Sequence, residues 1–215
     1  MSWLWWTLIG FASGAVPYSL LVGRLVLRQD IRRYGDHNPG AFNVLSAGGG
    51  KGVFLAAALL DGFKGCIPVG LAYFGQGITG WELIPVALAP ALGHIFSPFL
   101  RFRGGKAIAV TFGIWAGLTV GEAPTFLGLL LGWWFFGVAS SGWAVTFSAI
   151  SFLIYALLRW LPENPVFVAI WAINAALLIW RYRADLHTSP ALRTAFTRRV
   201  DALLGRRGES ERPVR

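Results

Sequence analysis

Seven apolar runs separated by short polar connections dominate this chain of 215 residues. They lie at about 3–23, 52–75, 81–100, 107–120, 124–139, 143–159 and 164–181, and a run of about 20 apolar residues is what a helix needs to cross a bilayer. Too little chain is left over for a separate soluble domain. The pattern predicts an all-α integral membrane protein of about seven transmembrane helices. Composition agrees, with 55% hydrophobic and 13% charged residues, where soluble proteins are about a quarter charged. The run 107–120 is shorter than the about 17 residues of a full crossing, so it is expected to tilt or to insert part-way. Nothing basic precedes the first run and no small-residue cleavage site follows it, so it is expected to remain as a helix and not to act as a signal peptide.

The formal charge is +9, which on a soluble protein would suggest nucleic acid. In so apolar a chain membrane topology is the simpler cause, and no nucleic-acid partner is expected. Arg24, Arg28, Arg32, Arg33 and Lys51 lie in or beside the first connection, Arg101, Arg103 and Lys106 in the third, and a further set of arginines follows Arg181. With seven crossings all these segments share one side, which places the N-terminus outside and the C-terminus in the cytoplasm. Arg159 is the exception, offset by Glu163. The chain divides into a membrane domain, 1–181, and a basic cytoplasmic tail, 182–215. Leu192, Phe196, Val200, Leu203 and Leu204 suggest an amphipathic stretch on the anionic inner leaflet, the alternative being a solvated tail. Cys66 is the single cysteine and there are three histidines, so neither a disulfide framework nor a structural zinc site is expected.

Charges inside apolar runs are costly and need a reason. Asp61 and Lys64, three apart on one helical face, either pair to hold helices together or wall a polar site. His94, in APALGHIFSP, is a further candidate. The connection 35–50, GDHNPGAFNVLSAGGG, combines glycines, Gly40 among them, with the amides of Asn38 and Asn43, and such loops can aim backbone N–H groups at an anion. In RFRGGKAIAV, Gly104 and Gly105 precede Lys106 at a helix start, where free N–H groups and the helix dipole favour an anion. Alone, the GGK triplet carries little weight, and the GxxxxGK[ST] nucleotide loop is absent. Two such loops on one membrane face point to a phosphate, best a lipid-linked one with its chain among the helices.

The order of motifs resembles the integral membrane acyl-phosphate:glycerol-3-phosphate acyltransferases, the PlsY family. SGAVPYSLLVGRL leads to DIRRYG, then NPGAFNVL, then DGFKG, then GHIFSPFLRFRGGKAIA. The resemblance implies a seven-helix protein of the bacterial inner membrane, N-terminus outside, with its site facing the cytoplasm. It implies transfer of an acyl chain from acyl phosphate to the 1-hydroxyl of glycerol 3-phosphate, in phospholipid biosynthesis, among membrane lipids and without metal, nucleotide or other cofactor. An activated donor leaves the protein chiefly to hold two phosphates together and stabilise an oxyanion. The His-x-x-x-x-Asp signature of other glycerolipid acyltransferases is missing, since Phe42, Phe99 and Leu192 stand five residues beyond His37, His94 and His187.

Carried over residue by residue, the resemblance makes Lys106, Asn43, Asp36 and His37 the catalytic candidates. Asn38, Gly40, Gly104, Gly105, Arg181, Arg183, Asp61, Lys64 and His94 are the substrate-binding ones. Several positions depart from the family pattern. Its Ser-Gly-Asn is Asp36-His37-Asn38, the Arg after Asn-Val-Leu is Ser46, and the Gly after the lysine is Ala107. Beyond the last helix its His and Asn are Tyr182 and Asp185. Two further readings therefore stay open: a noncatalytic relative that binds a phosphorylated lipid or its precursor, and a small transporter lined by Asp61, Lys64 and His94.

Overall fold

The computed structural model describes residues 1–194, and among them every regular element is helical. All seven apolar runs form helices. The first is broken: α1 (Ser2–Ala15) and α2 (Tyr18–Val26) are separated by an extended Val16, because Pro17 has no N–H and pushes the residue before it out of the helical region. A short helix that the sequence read as loop, α3 (Ala41–Ser46), lies within the first connection. Then come α4 (Lys51–Gly70), which ends in a π-helical turn at Leu71–Gly75, and α5 (Leu83–Ile95). The order closes with α6 (Ile108–Thr119), α7 (Glu122–Gly137), α8 (Ser141–Trp160) and α9 (Pro165–Tyr182).

Five segments are long and apolar enough to cross a membrane: Ser2–Val26, Lys51–Gly75, Gly80–Leu100, Ser141–Trp160 and Pro165–His187. At 12 and 16 residues, α6 and α7 are shorter. Helix α6 is largely internal, with Val110, Ile114 and Trp115 fully buried, so most of its length meets protein and not lipid. It lies tightly on α4 through small residues. A Cβ at Gly113 would collide with the Gly62 carbonyl, and one at Gly117 would come within 2.7 Å of the Cys66 carbonyl. Such small-residue seams let helices approach in lipid, where the hydrophobic effect gives no drive to associate. Its other side meets an aromatic core in which Trp115 stacks on Trp160 at 5.0 Å and Phe152 packs on Trp171 at 4.2 Å.

One end of the bundle gathers the basic connections. Lys106 pairs with Asp36 and Asp185, and Ser140 donates to the Asp185 carbonyl. The segment after α9 turns back along the end of α7, where Leu192 bridges antiparallel to Val138. Leu192 is thus extended, not helical, and Phe196, Val200, Leu203 and Leu204 of the expected surface stretch lie outside the described residues. At the opposite end of α7 and α8, Arg159 bonds Glu122 at 2.9 Å and approaches Glu163 at 3.9 Å. Its charge is therefore countered where the topology reading placed an exception.

Candidate functional site

A cavity of about 450 Å³ opens where the first and third connections meet the α4–α6 seam. Asp36, Asn38, Asn43, Lys106 and Tyr182 line one end, Asp61 and His94 lie on its wall, and Phe54, Leu59, Phe63, Cys66 and Phe112 line an apolar trough. It is therefore polar at one end and greasy along its length.

Lys106 is the hub of the polar end. Its Nζ lies 3.0 Å from Asp36 Oδ2, 3.2 Å from Asp185 Oδ2 and 4.3 Å from the centre of the Tyr182 ring. Asp36 Oδ1 accepts from Asn43 Nδ2 at 2.9 Å and from the Asn38 N–H at 3.2 Å, while Asn43 Nδ2 also donates to the Asn38 carbonyl at 2.7 Å. The buried Asn43 can reach Asp36 because Gly35 leaves room: a Cβ there would overlap Asn43 Oδ1, and its φ of +57 suits glycine. Gly40 sits at the start of α3, close under the Asn38 amide. Burial works to raise the Asp36 pKa, but the Lys106 ammonium, the Asn38 N–H and the Asn43 amide outweigh it and hold the carboxyl below its usual range.

Gly104 and Gly105 do not aim their N–H groups at an anion, contrary to the sequence expectation. They donate to the Ile95 carbonyl at 2.9 Å and the His94 carbonyl at 3.1 Å. Glycine is required there because a Cβ at either would overlap His94. Their carbonyls in turn accept from Arg181 at 2.7 and 3.1 Å. Arg181 thus fastens the loop that carries Lys106 and does not meet the cavity. Arg183 also stays outside, donating to the Trp180 carbonyl and stacking at 4.8 Å on the Trp180 ring. His37, at φ +61, turns back to the Arg32 carbonyl at 3.0 Å and does not line the cavity. The first turn of α6 borders the cavity instead: Ile108 and Ala109 line it and no side chain caps the helix.

The intramembrane charges form one buried network. Lys64 Nζ meets Asp61 Oδ1 at 2.7 Å, the Val16 carbonyl at 2.8 Å and His94 Nδ1 at 2.7 Å, and Ser19 Oγ donates to Asp61 Oδ2. An ammonium has three protons and no acceptor, so His94 Nδ1 accepts and its ring proton sits on Nε2. Ser97 Oγ donates to the Ala15 carbonyl at 2.6 Å. Carbonyls freed by the break at Pro17 are thereby satisfied by Lys64 and Ser97, as burial in a bilayer demands. The pair ties the first helix to α4 and α5, and Asp61 and His94, but not Lys64, also face the cavity.

Residues 4–189 match the family model described as glycerol-3-phosphate acyltransferase. The chain belongs to the glycerol-3-phosphate acyltransferase family. It is 39% identical over 173 residues to the glycerol-3-phosphate acyltransferase of Actinobacillus succinogenes, which covers 80% of this chain and 83% of that one. Against the enzyme of that name from Haemophilus influenzae it is 37% identical over 183 residues, 85% of this chain and 88% of that one. It is also similar to the crystal structure of PlsY (YgiH), an integral membrane glycerol 3-phosphate acyltransferase in its glycerol 3-phosphate form. That similarity has a TM-score of 0.76 and 25% identity, over 97% of this chain and 95% of that one.

Within this acyltransferase-family site, sequence reasoning did not single out the aromatic lining of the trough, Phe54, Phe63 and Phe112, and it gave no site role to Tyr182 or Asp185, which here meet Lys106. Both stood out in the sequence only as departures from the family pattern beyond the last helix. Ala107 has a measurable consequence of its own: at φ +65 it holds a left-handed conformation that costs a residue with a Cβ about 1–2 kcal/mol. Ala107→Gly is expected to stabilise the fold by about 1 kcal/mol, seen as a higher thermal midpoint in detergent. An unchanged or lower midpoint would show the backbone there to be unstrained.

Proposed function

We propose that the protein transfers an acyl chain from acyl phosphate to the 1-hydroxyl of glycerol 3-phosphate, yielding lysophosphatidate and inorganic phosphate. The observation that carries this reading is the two-sided cavity, with Lys106 and the α6 start at its polar end and an apolar trough between α4 and α6. That shape suits a ligand with an anionic head and a hydrocarbon tail. Names borne by relatives and by the similar crystal structure supply the acceptor.

In the reaction the acceptor hydroxyl oxygen bonds to the acyl carbonyl carbon and the carbon–oxygen bond to phosphate breaks. The phosphate leaves with that electron pair and takes up the hydroxyl proton. Lys106 and the N–H groups of the first α6 turn stabilise the negative charge on the carbonyl oxygen and the departing phosphate. Asn43 and Asn38 fix Asp36 at the acceptor side, and Asp61 and His94 form the wall below. Arg181, Gly104 and Gly105 hold the Lys106 loop in place. Positioning of an already activated donor supplies most of the acceleration, and the chemistry calls for neither metal nor nucleotide.

The membrane placement we adopt is seven crossings, N-terminus outside, with the site at the cytoplasmic face of a bacterial inner membrane. It is supported by the gathering of the basic connections at the Lys106 end of the bundle. Purified protein incubated with an acyl phosphate and glycerol 3-phosphate is expected to produce lysophosphatidate detectable by mass spectrometry. Folded protein that acyl phosphate stabilises to heat but that forms no product would instead be a noncatalytic lipid-phosphate binder.

A further inference from the structure

Lys106, at the polar end of the cavity, is shared by two carboxylates. Asp36 and Asp185 converge on Lys106 from two different segments, one before α3 and one after α9. The third face of the ammonium is turned toward the Tyr182 ring. All the directions in which Lys106 could donate to an incoming anion are therefore already taken. Arg181, the nearest other cation tied to this loop, is committed to the Gly104 and Gly105 carbonyls. His94 on the cavity wall accepts at Nδ1 from Lys64. Asp36, Asp185 and Lys106 sum to −1 and the Arg181 guanidinium brings the wider count only to zero, while a phosphate group brings up to two more negative charges.

These ion pairs do little for the fold. The Asp36 side chain is 48% exposed and that of Asp185 34%, and pairs of that exposure contribute about 0–1 kcal/mol. Their effect falls on the ligand instead, because a like charge within a few ångströms of a bound phosphate opposes it.

We infer that Asp36 and Asp185 are specificity-determining residues: resident counter-anions that a phosphate-bearing ligand must displace from Lys106, and that hold the site's affinity for phosphate groups low. The inference rests on the reading of this end of the cavity as a phosphate site. Its chemical consequence is a weak grip on the ground state and on the inorganic phosphate product, which favours turnover over retention when substrate is plentiful. Either the donor phosphate or the acceptor phosphate can be the group that takes Lys106, and varying one substrate at a time tells them apart.

The test uses the full-length protein in detergent with the isosteric variants Asp36→Asn and Asp185→Asn. Each is expected to lower the half-saturating concentration of one phosphate-bearing substrate by about 10-fold. Each should also enlarge the rise in thermal midpoint produced by inorganic phosphate. An unchanged or weaker affinity for acyl phosphate, glycerol 3-phosphate and inorganic phosphate alike overturns the inference. So does a variant that no longer folds, since the carboxylates would then be structural. If no form of the protein makes lysophosphatidate yet inorganic phosphate binds the variants more tightly, the inference stands and the acyltransferase reading fails. Turnover with unaltered affinities overturns the inference and leaves the acyltransferase reading standing.

Discussion

Lys106→Ala is expected to lower the rate of lysophosphatidate formation by about 10²–10³-fold, the loss typical when one donor to a developing oxyanion is removed. The variant deletes the one lysine that lines the cavity among the described residues and leaves Asp36 and Asp185, which both bond to it, without their common counter-charge. Lys106→Arg keeps the charge but spreads it over a planar fork on a longer side chain, so an intermediate rate is expected. Initial rates at saturating substrate decide the matter, and an alanine variant retaining more than about a tenth of the activity would remove Lys106 from the chemistry. An acid-side signature accompanies the loss. Because Lys106 helps hold the Asp36 carboxyl below its ordinary range, their pairing adds stability above the unfolded value of about 3.9. That increment disappears as the pH falls through the lower folded value. Wild type and variant should therefore differ in thermal midpoint near neutral pH and converge in strong acid.

The seven apolar runs were legible because lipid selects for apolar length, and each of them forms a helix. The meeting of the first and third connections was legible as well, from glycine, asparagine and lysine on one predicted face, and Lys106 lies 3.0 Å from Asp36. What each polar group does there depends on partners far away in sequence. Gly104 and Gly105 have the composition of an anion loop, yet the end of α5 supplies carbonyls that take their N–H groups. His37 has a titratable ring, but its left-handed backbone turns it toward Arg32. Asp185 meets Lys106 across 79 residues, and no local periodicity encodes a contact of that span. Spacing did expose the Asp61–Lys64 pair. The Val16 carbonyl, Ser19 and His94, which complete its network, lie 30–48 residues away in sequence, and although Pro17 marks the break locally, nothing local pairs it with Lys64.

That network makes Lys64 the residue whose loss should damage the fold most. Both members of the pair are buried, at 0% and 2% side-chain exposure, and removing one partner of a buried pair costs about 3–5 kcal/mol because the other charge is stranded. In Lys64→Met, Asp61 would keep only Ser19, and the Val16 carbonyl and His94 Nδ1 would lose the Lys64 donor. A large fall in the thermal midpoint is expected, followed by the fluorescence of the 11 tryptophans. Adding Asp61→Asn should restore much of it, since eliminating both charges avoids the stranded one. Activity should not return in step with stability. His94 Nδ1 would still lack its donor, and the His94 carbonyl accepts from Gly105, the residue next to Lys106. A single variant that melts like the wild type would mean the pair contributes nothing to the fold. A double variant less stable than the single would mean that charge stranding is not the cause.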